Sequence, residues 1–191
     1  MSTGDLLMAS PLETLAMFDG APPPAVSDGG PLEIPQAAPR TLSEALLRTA
    51  LDKPDKGLRL IDADGRETRQ TYPMLLDRAR RILTGLRDCG IKPRQGVILQ
   101  IERLEDHFAS FWACVLGGMI PVTVAIPSSY KQKDGVVGKL YHTWKLLNGA
   151  PILTNDHLLD SVVELETTAG MAGLKILSIN ELAKRVLASD L

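Results

Sequence analysis

Two short runs, Val97-Ile98-Leu99 and Val122-Thr123-Val124, are apolar without the alternation that a half-exposed strand shows. Strands of that kind belong to a parallel sheet covered by helices on both faces, because parallel neighbours need a long crossover connection, usually a helix. The flanking sequence supplies such helices. After Pro93 the pattern predicts strand 97–101, helix 105–116, strand 120–126, helix 138–147, strand 151–154, helix 156–168, strand 174–179 and helix 181–187. The expected fold is α/β, with three layers and a doubly wound, mostly parallel sheet.

An amino-terminal β-hairpin precedes this sheet. Thr41-Leu42-Ser43-Glu44 is a capping box, and Leu42, Ala45, Leu46, Thr49 and Ala50 form one apolar face of the helix that follows. Strands 58–62 and 68–72 flank Asp64-Gly65, a dipeptide suited to the positive φ angles of a tight turn. Pro73 then opens a helix with Leu75, Leu76, Ala79, Ile82, Leu83 and Leu86 on one stripe, and Gly90 ends it in left-handed geometry. The expected core includes Leu83, Leu86, Ile98, Phe111, Val115, Val122 and Ile152. Residues 128–137 are the one long loop expected in the body.

Residues 1–40 are a different material. Asp5, Glu13, Asp19, Asp28 and Glu33 precede the first basic residue, Arg40, and seven of the 13 prolines lie here. Proline fixes φ and removes donors, so most of this leader reads as linker. Ser10-Pro11-Leu12-Glu13 nevertheless carries the cap, proline and carboxylate of a helix start, predicting a short helix near 11–18. Leu12, Leu15 and Ala16 would pack it on the body or on a partner, and with neither it stays unstructured. The domain plan is thus an acidic, proline-rich leader, 1–40, and a folded body, 41–191.

Net charge is −2, so no basic field gathers nucleic acid or an anionic membrane, and neither is an expected partner. The apolar run 113–127 is broken by Gly117, Gly118, Pro121 and Thr123, too short and interrupted to span a bilayer. With no Lys or Arg before Arg40 there is no secretory signal pattern, and the expected location is cytoplasmic. Cys89 and Cys114 lie far apart without a second ligand pair and read as reduced core thiols.

Several motifs suggest chemistry, and each has a plainer structural reading. Gly135-Val136-Val137-Gly138-Lys139 lacks both the upstream glycine and the following hydroxyl of a phosphate loop, and reads as a loop entering a helix. Gly117-Gly118 serves a helix stop. His107, His142 and His157 belong to no metal or triad pattern and read as surface or cap residues. Tyr141 and Trp144 stand at helical spacing, for core packing or for stacking on a ligand. Asp77, Arg78, Arg80 and Arg81 read as a solvated helix face, and Glu102, Glu105 and Asp106 as an acidic group favoured by a helix dipole. No catalytic, cofactor-binding or metal-binding residue is assigned.

The series Thr41-Leu42-x-Glu44-Ala45-Leu46, Asp64-Gly65 with Thr71-Tyr72-x-x-Leu75, and Leu86-Arg87-x-x-Gly90-Ile91-Lys92-Pro93 resembles, in order and spacing, the amino-terminal part of adenylate-forming ligases. This superfamily holds acyl-CoA synthetases, fatty acyl-AMP ligases and adenylation domains of peptide synthetases. Val97-Ile98-Leu99-Gln100 and 111–122 continue the series. The run 111–127, Lys139-Leu140-x-x-x-Trp144 and Pro151-Ile152-Leu153-Thr154 resemble loading domains of hybrid polyketide and peptide synthetases.

That resemblance implies a reaction in two halves. A carboxylate attacks the α-phosphate of ATP to give an acyl-adenylate, and a carrier-protein thiol then takes the acyl group. It also implies ATP and Mg as cofactors of the complete parent enzyme, held by a Ser/Thr/Gly-rich loop, an acidic metal ligand, a ribose-binding Asp and a lysine. None of those motifs occurs in these 191 residues. The chain therefore reads as a truncated amino-terminal subdomain, inactive alone, whose partners are the remainder of the domain or a synthase subunit, and a carrier protein. Two alternatives stand beside it: a noncatalytic adenylation-like docking module, and an unrelated α/β nucleotide-binding domain.

Overall fold

The structure, a computed structural model, describes residues 29–31 and 33–185; the helix expected near 11–18 lies outside the described residues. The chain divides into two compact units, 1–38 and 39–191. In the first, residues 29–31 and 33–38 carry neither helix nor strand.

In the second unit, Thr41 caps helix α1 (Leu42–Asp52) by accepting from the Glu44 amide at 3.1 Å. Leu46 and Ala50 are buried, but Leu42 is 60% exposed, contrary to its expected place on the apolar face. The first turn is rotated so that Ser43 meets the body instead, its hydroxyl donating to Val115 O at 3.2 Å. Strands β1 (Gly57–Ile61) and β2 (Glu67–Thr71) form the antiparallel hairpin, each one residue earlier than predicted. Gly65 supplies a φ of 77° at the turn. A Cβ at Gly57 would stand 2.1 Å from Gln70 O, so the start of β1 requires glycine.

Helix α2 (Tyr72–Asp88) is capped by Thr71 and buries the predicted stripe from Leu75 to Leu86. Strand β3 (Gly96–Gln100), helix α3 (Leu104–Leu116), strand β4 (Ile120–Thr123), helix α4 (Gly135–Leu146) and strand β5 (Ile152–Thr154) follow. A 3₁₀ turn (Asp156–Leu158), short helices α5 (Leu159–Val163) and α6 (Leu165–Thr168), strand β6 (Ile176–Ser178) and helix α7 (Ile179–Ala183) complete the described residues.

The main sheet has the order β4-β3-β5-β6, and every pair in it is parallel. Val97, Leu99, Leu153 and Leu177 pack into one apolar cluster with α1, α2, α3 and α7. Ile98 and Ile152 pack into a second cluster with α4, α5 and α6. Alternate residues of each strand thus enter different clusters, which is why these strands lack a polar face. Among the described residues no helix is long and apolar enough to cross a membrane.

The structure corrects the predicted elements where side chains compete with backbone. Strand 120–126 ends at Thr123 because the Gln100 side-chain amide takes Val124 O at 2.7 Å and Ala125 O at 3.1 Å. The predicted helix 156–168 breaks into three pieces. At the last break, Glu164 O receives both the Thr167 amide and its hydroxyl, a local bond that competes with the helix ladder. Strand 174–179 stops at Ser178 because that hydroxyl caps α7, accepting from Glu181 N at 3.1 Å. Consequently the last helix starts at Ile179, two residues before the predicted Glu181. Leu83, Leu86, Ile98 and Ile152 are buried as expected, whereas Phe111, Val115 and Val122 are half-buried. Helix α3 turns its small residues, Ala109, Ser110, Ala113 and Cys114, inward, and β4 is an edge of the described sheet.

Candidate functional site

Strand β3 continues into α3 on one face of the sheet, while its neighbour β5 continues into α5 and α6 on the other. Adjacent parallel strands whose connections diverge leave a crevice at their carboxyl ends, the usual ligand position in open α/β sheets. Here that crevice is floored by polar side chains. Gln100, at the end of β3, is fully buried and accepts from the Tyr130 hydroxyl at 2.8 Å while its amide holds the chain after β4. Thr154, at the end of β5, donates to Gln100 O at 2.7 Å. Each buried polar atom in this set has a partner, which removes the penalty of desolvating it.

Beside it lies a buried carboxylate. Asp106 is 1% exposed and pairs with the Arg78 guanidinium from α2. Asn155 donates to Asp106 Oδ2 at 2.9 Å and accepts from the Glu102 amide at 3.1 Å. One cluster thus joins α2, α3 and the ends of β3 and β5. Two expectations are corrected by it. Arg78 is not part of a solvated face, because it reaches inward to Asp106, and Asp106 serves a buried ion pair rather than only a helix dipole.

At the crevice mouth, His157 Nε2 lies 2.6 Å from Glu102 Oε2. Asp156 accepts from the Ser178 hydroxyl and from Asn180 Nδ2 at 2.6 Å, and these bonds hold its carboxyl below the usual range. Burial, reinforced by the Glu102 charge, pushes the Tyr130 phenol up, so it remains a proton donor. Burial also lowers His107, which stands 3.4 Å from Thr123 Oγ1. The Cys114 thiol is pushed up to about 12 by desolvation, and both cysteines are free.

Two clefts flank Glu102. One, of about 460 Å³, lies between the hairpin and the β3–α3 loop and includes Asp62, Arg66, Arg103 and Glu105. The other, of about 260 Å³, is lined by Ile126, Ser129, Tyr130, Lys131, Leu158 and Glu164 among others.

The motifs singled out in the sequence do not converge here. Gly135 begins α4 instead of preceding it as a loop, and Asp134 accepts from the Val136 and Val137 amides at 2.9 and 2.8 Å. The amides that a phosphate would need are taken by a carboxylate. A Cβ at Gly117 would meet Leu83 Cδ1 at 2.5 Å, and Gly118 has φ 66°, the geometry of a helix stop. Tyr141 and Trp144 lie half-buried against the second cluster, ring centroids 6.5 Å apart. His142 bonds its own helix at Gly138 O. Among the described residues no three of His, Cys, Asp and Glu gather to hold a metal ion. No chemical step through ATP or Mg is assigned to the described residues. Gln100 and Thr154 stand in the sequence only as ends of resembling runs with no site role, and Asn155 and Tyr130 in none; a Gln ending an apolar strand was the available signal.

The described body is similar to solved adenylation domains. The adenylation domain of a keto acid-selecting NRPS module bound to keto acyl adenylate is 35% identical over 87% of this chain, with a TM-score of 0.78. McyG A-PCP complexed with phenylalanyl-adenylate is 37% identical over 83% of the chain, with a TM-score of 0.75. The chain covers 30% and 28% of those two structures. Atromentin synthetase of Tapinella panuoides is 25% identical over 139 residues, which are 71% of this chain and 14% of that protein. No family model matches. Fold and sequence together place the chain in the adenylate-forming (AMP-binding) ligase superfamily, as part of one of its domains. Its matches include adenylation domains of NRPS modules, fatty acyl-adenylate ligases and atromentin synthetases.

Proposed function

We propose that the chain is an amino-terminal piece of a loading adenylation domain, one that activates a carboxylic acid with ATP for transfer to a carrier-protein thiol in secondary-metabolite assembly. The observation that carries this reading is the match to a keto acid-selecting adenylation domain across 87% of the chain but 30% of that domain. In this reading residues 41–191 are the adenylation-like portion behind the 1–40 leader, and the sheet is one side of a three-layer, doubly wound subdomain. The crevice network holds the carboxyl ends of β3 and β5 as a rigid wall, while the remainder of the domain supplies the phosphate loop, the metal ligand and the lysine. Carrier protein and remainder are then its partners, in the cytoplasm.

Carboxylate-dependent exchange of pyrophosphate into ATP tests this. Residues 1–191 alone are expected to give no exchange, because removing even one charge-stabilising donor costs about 10²- to 10³-fold in rate and here the whole set is missing. Adding a polypeptide that carries the rest of the domain is expected to restore it. Exchange by the 191-residue chain alone, or none from the chain joined to that remainder, would overturn the proposal.

A further inference from the structure

Among the described residues the strand edges are β1 and β2 of the hairpin and β4 and β6 of the main sheet, and hydrogen-bond parity says what each can offer. In β4, Ile120 N donates to Gln95 O at 2.9 Å and Val124 N to Leu99 O at 3.4 Å, so the even-numbered residues face β3 while Pro121 and Thr123 face out. Proline has no N–H, which blunts this edge. In β6, Ile152 N donates to Lys175 O at 2.8 Å, so Ile176 and Ser178 turn outward, and Ser178 is already the cap of α7. The hairpin differs. Tyr72 N donates to Lys56 O at 2.9 Å and Asp62 N to Arg66 O at 3.1 Å, which makes the even-numbered residues the paired ones. Glu67 and Arg69 of β2 therefore turn both N–H and C=O outward.

A cleft of about 670 Å³ runs beside β2, walled by Arg69 and Gln70, by Met74 and Arg78 of α2, and by Asn180 and Ala183 of α7; no residue of β1 lines it. Two polar atoms of these wall residues, Gln70 Oε1 and Arg78 Nε, are buried without a partner, and Gln70 is 6% exposed. Buried polar groups are normally satisfied, so unmet ones beside an open edge mark a surface that another chain completes. Met74, 57% exposed at the same cleft, adds apolar area to be covered. A two-stranded sheet is marginal in water and gains stability from a third strand. We propose that the outer edge of β2 receives a β-strand from the remainder of the adenylation-like domain, laid along this cleft. The inference rests on the reading given under Proposed function. The occupant follows from coverage: the chain spans 30% and 28% of the two matched structures, so most of what buries surface in such a domain lies beyond these residues. A second copy fits less well. Identical antiparallel edges pair about an axis normal to the sheet, which puts both bodies on the same face of it, competing for the space below the joined hairpins.

Amide hydrogen exchange read by NMR tests this, on residues 1–191 alone and with the polypeptide that supplies the rest of the domain. Alone, the Glu67 and Arg69 amides should exchange freely, while those of Thr68 and Gln70, inside the hairpin ladder, are slowed. With the remainder bound, Glu67 and Arg69 should slow by about ten-fold or more, the worth of one backbone hydrogen bond, and by more than Thr68 and Gln70 do. Arg69→Pro removes an outward N–H and spares the ladder to β1, so it should fold as wild type yet need about ten-fold more remainder to restore pyrophosphate exchange. Arg69→Ala keeps the N–H and should need no more than wild type. If the remainder restores pyrophosphate exchange but leaves the Glu67 and Arg69 amides as fast as before, the docking edge is wrong while the assigned reaction stands. If pyrophosphate exchange is not restored, the reading of the parent domain fails and this inference with it. Protection of both amides in the chain alone, rising with concentration alongside a dimer mass in sedimentation, would give the edge to a second copy and overturn the proposal.

Discussion

The two ends of the parallel sheet are built by different means. At the carboxyl ends, Gln100, Thr154, Asn155 and Asp106 are buried and bonded to groups from α2, α3 and the chain after β4. At the amino ends the structure is made of turns: Gly90, Gly118 and Gly149 adopt positive φ, joined by Arg94 at 68° and Asn148 at 52°. Their bonds are mostly short in sequence, as in Gly149 N to Trp144 O and Lys92 N to Gln95 Oε1. The amino end also leaves Ile120 and Leu146 50% and 81% exposed. Polar groups at the carboxyl end are thus held by tertiary partners, whereas the amino end is set mostly by local backbone geometry, with Arg94 N to Gly118 O at 2.7 Å as a longer-range bond. A substitution at the first should destabilise through desolvation; one at the second should act through backbone freedom.

Asp106→Ala should show the larger effect. It leaves the Arg78 guanidinium, one-third exposed, without its carboxylate and the Asn155 amide without an acceptor, costing about 3 kcal/mol. Urea unfolding checks it, with a lowered midpoint and an unchanged slope. A loss below about 0.5 kcal/mol would break the contrast between the two ends. Arg94→Gly should lie on the other side of zero. Relief of a left-handed residue is offset in part by glycine's unfolded-state entropy, leaving a gain of about 0.5 kcal/mol or less in the same assay.

The smallest effect concerns pH. The Asp156 carboxyl is held low by Ser178 first and Asn180 next, so its contribution is present above the ordinary carboxylate pKa and fades as pH falls through the lowered one. Asn180→Ala removes one of those bonds while leaving the α7 cap on Ser178 intact. The stability difference between wild type and this variant should be a few tenths of a kcal/mol at pH 6, because the site is exposed, and shrink toward pH 3. A difference that grows in acid would show that Asp156 is not its source.

Elements governed by near neighbours were legible. Thr41 with Glu44, Pro73 in the first turn of α2, and Gly65 stand where the sequence pattern puts them, since caps and turns use partners within a few residues. The crevice was not legible. Arg78 and Asp106 are 28 residues apart, Tyr130 and Gln100 are 30, and Asn155 and Asp106 are 49. Nothing in the local pattern distinguishes Arg78 from Arg81, which does pair within its own helix at Asp77.

Sequence alone therefore determined the α/β class, the hairpin, the α2 stripe and the covered parallel strands, because hydrophobic period and capping are properties of neighbouring residues. Tertiary structure alone decided which charges are buried, where β4 stops, and that Glu102 faces His157. Those outcomes rest on desolvation and on partners that meet only once the sheet is assembled, and no periodicity along the chain encodes them.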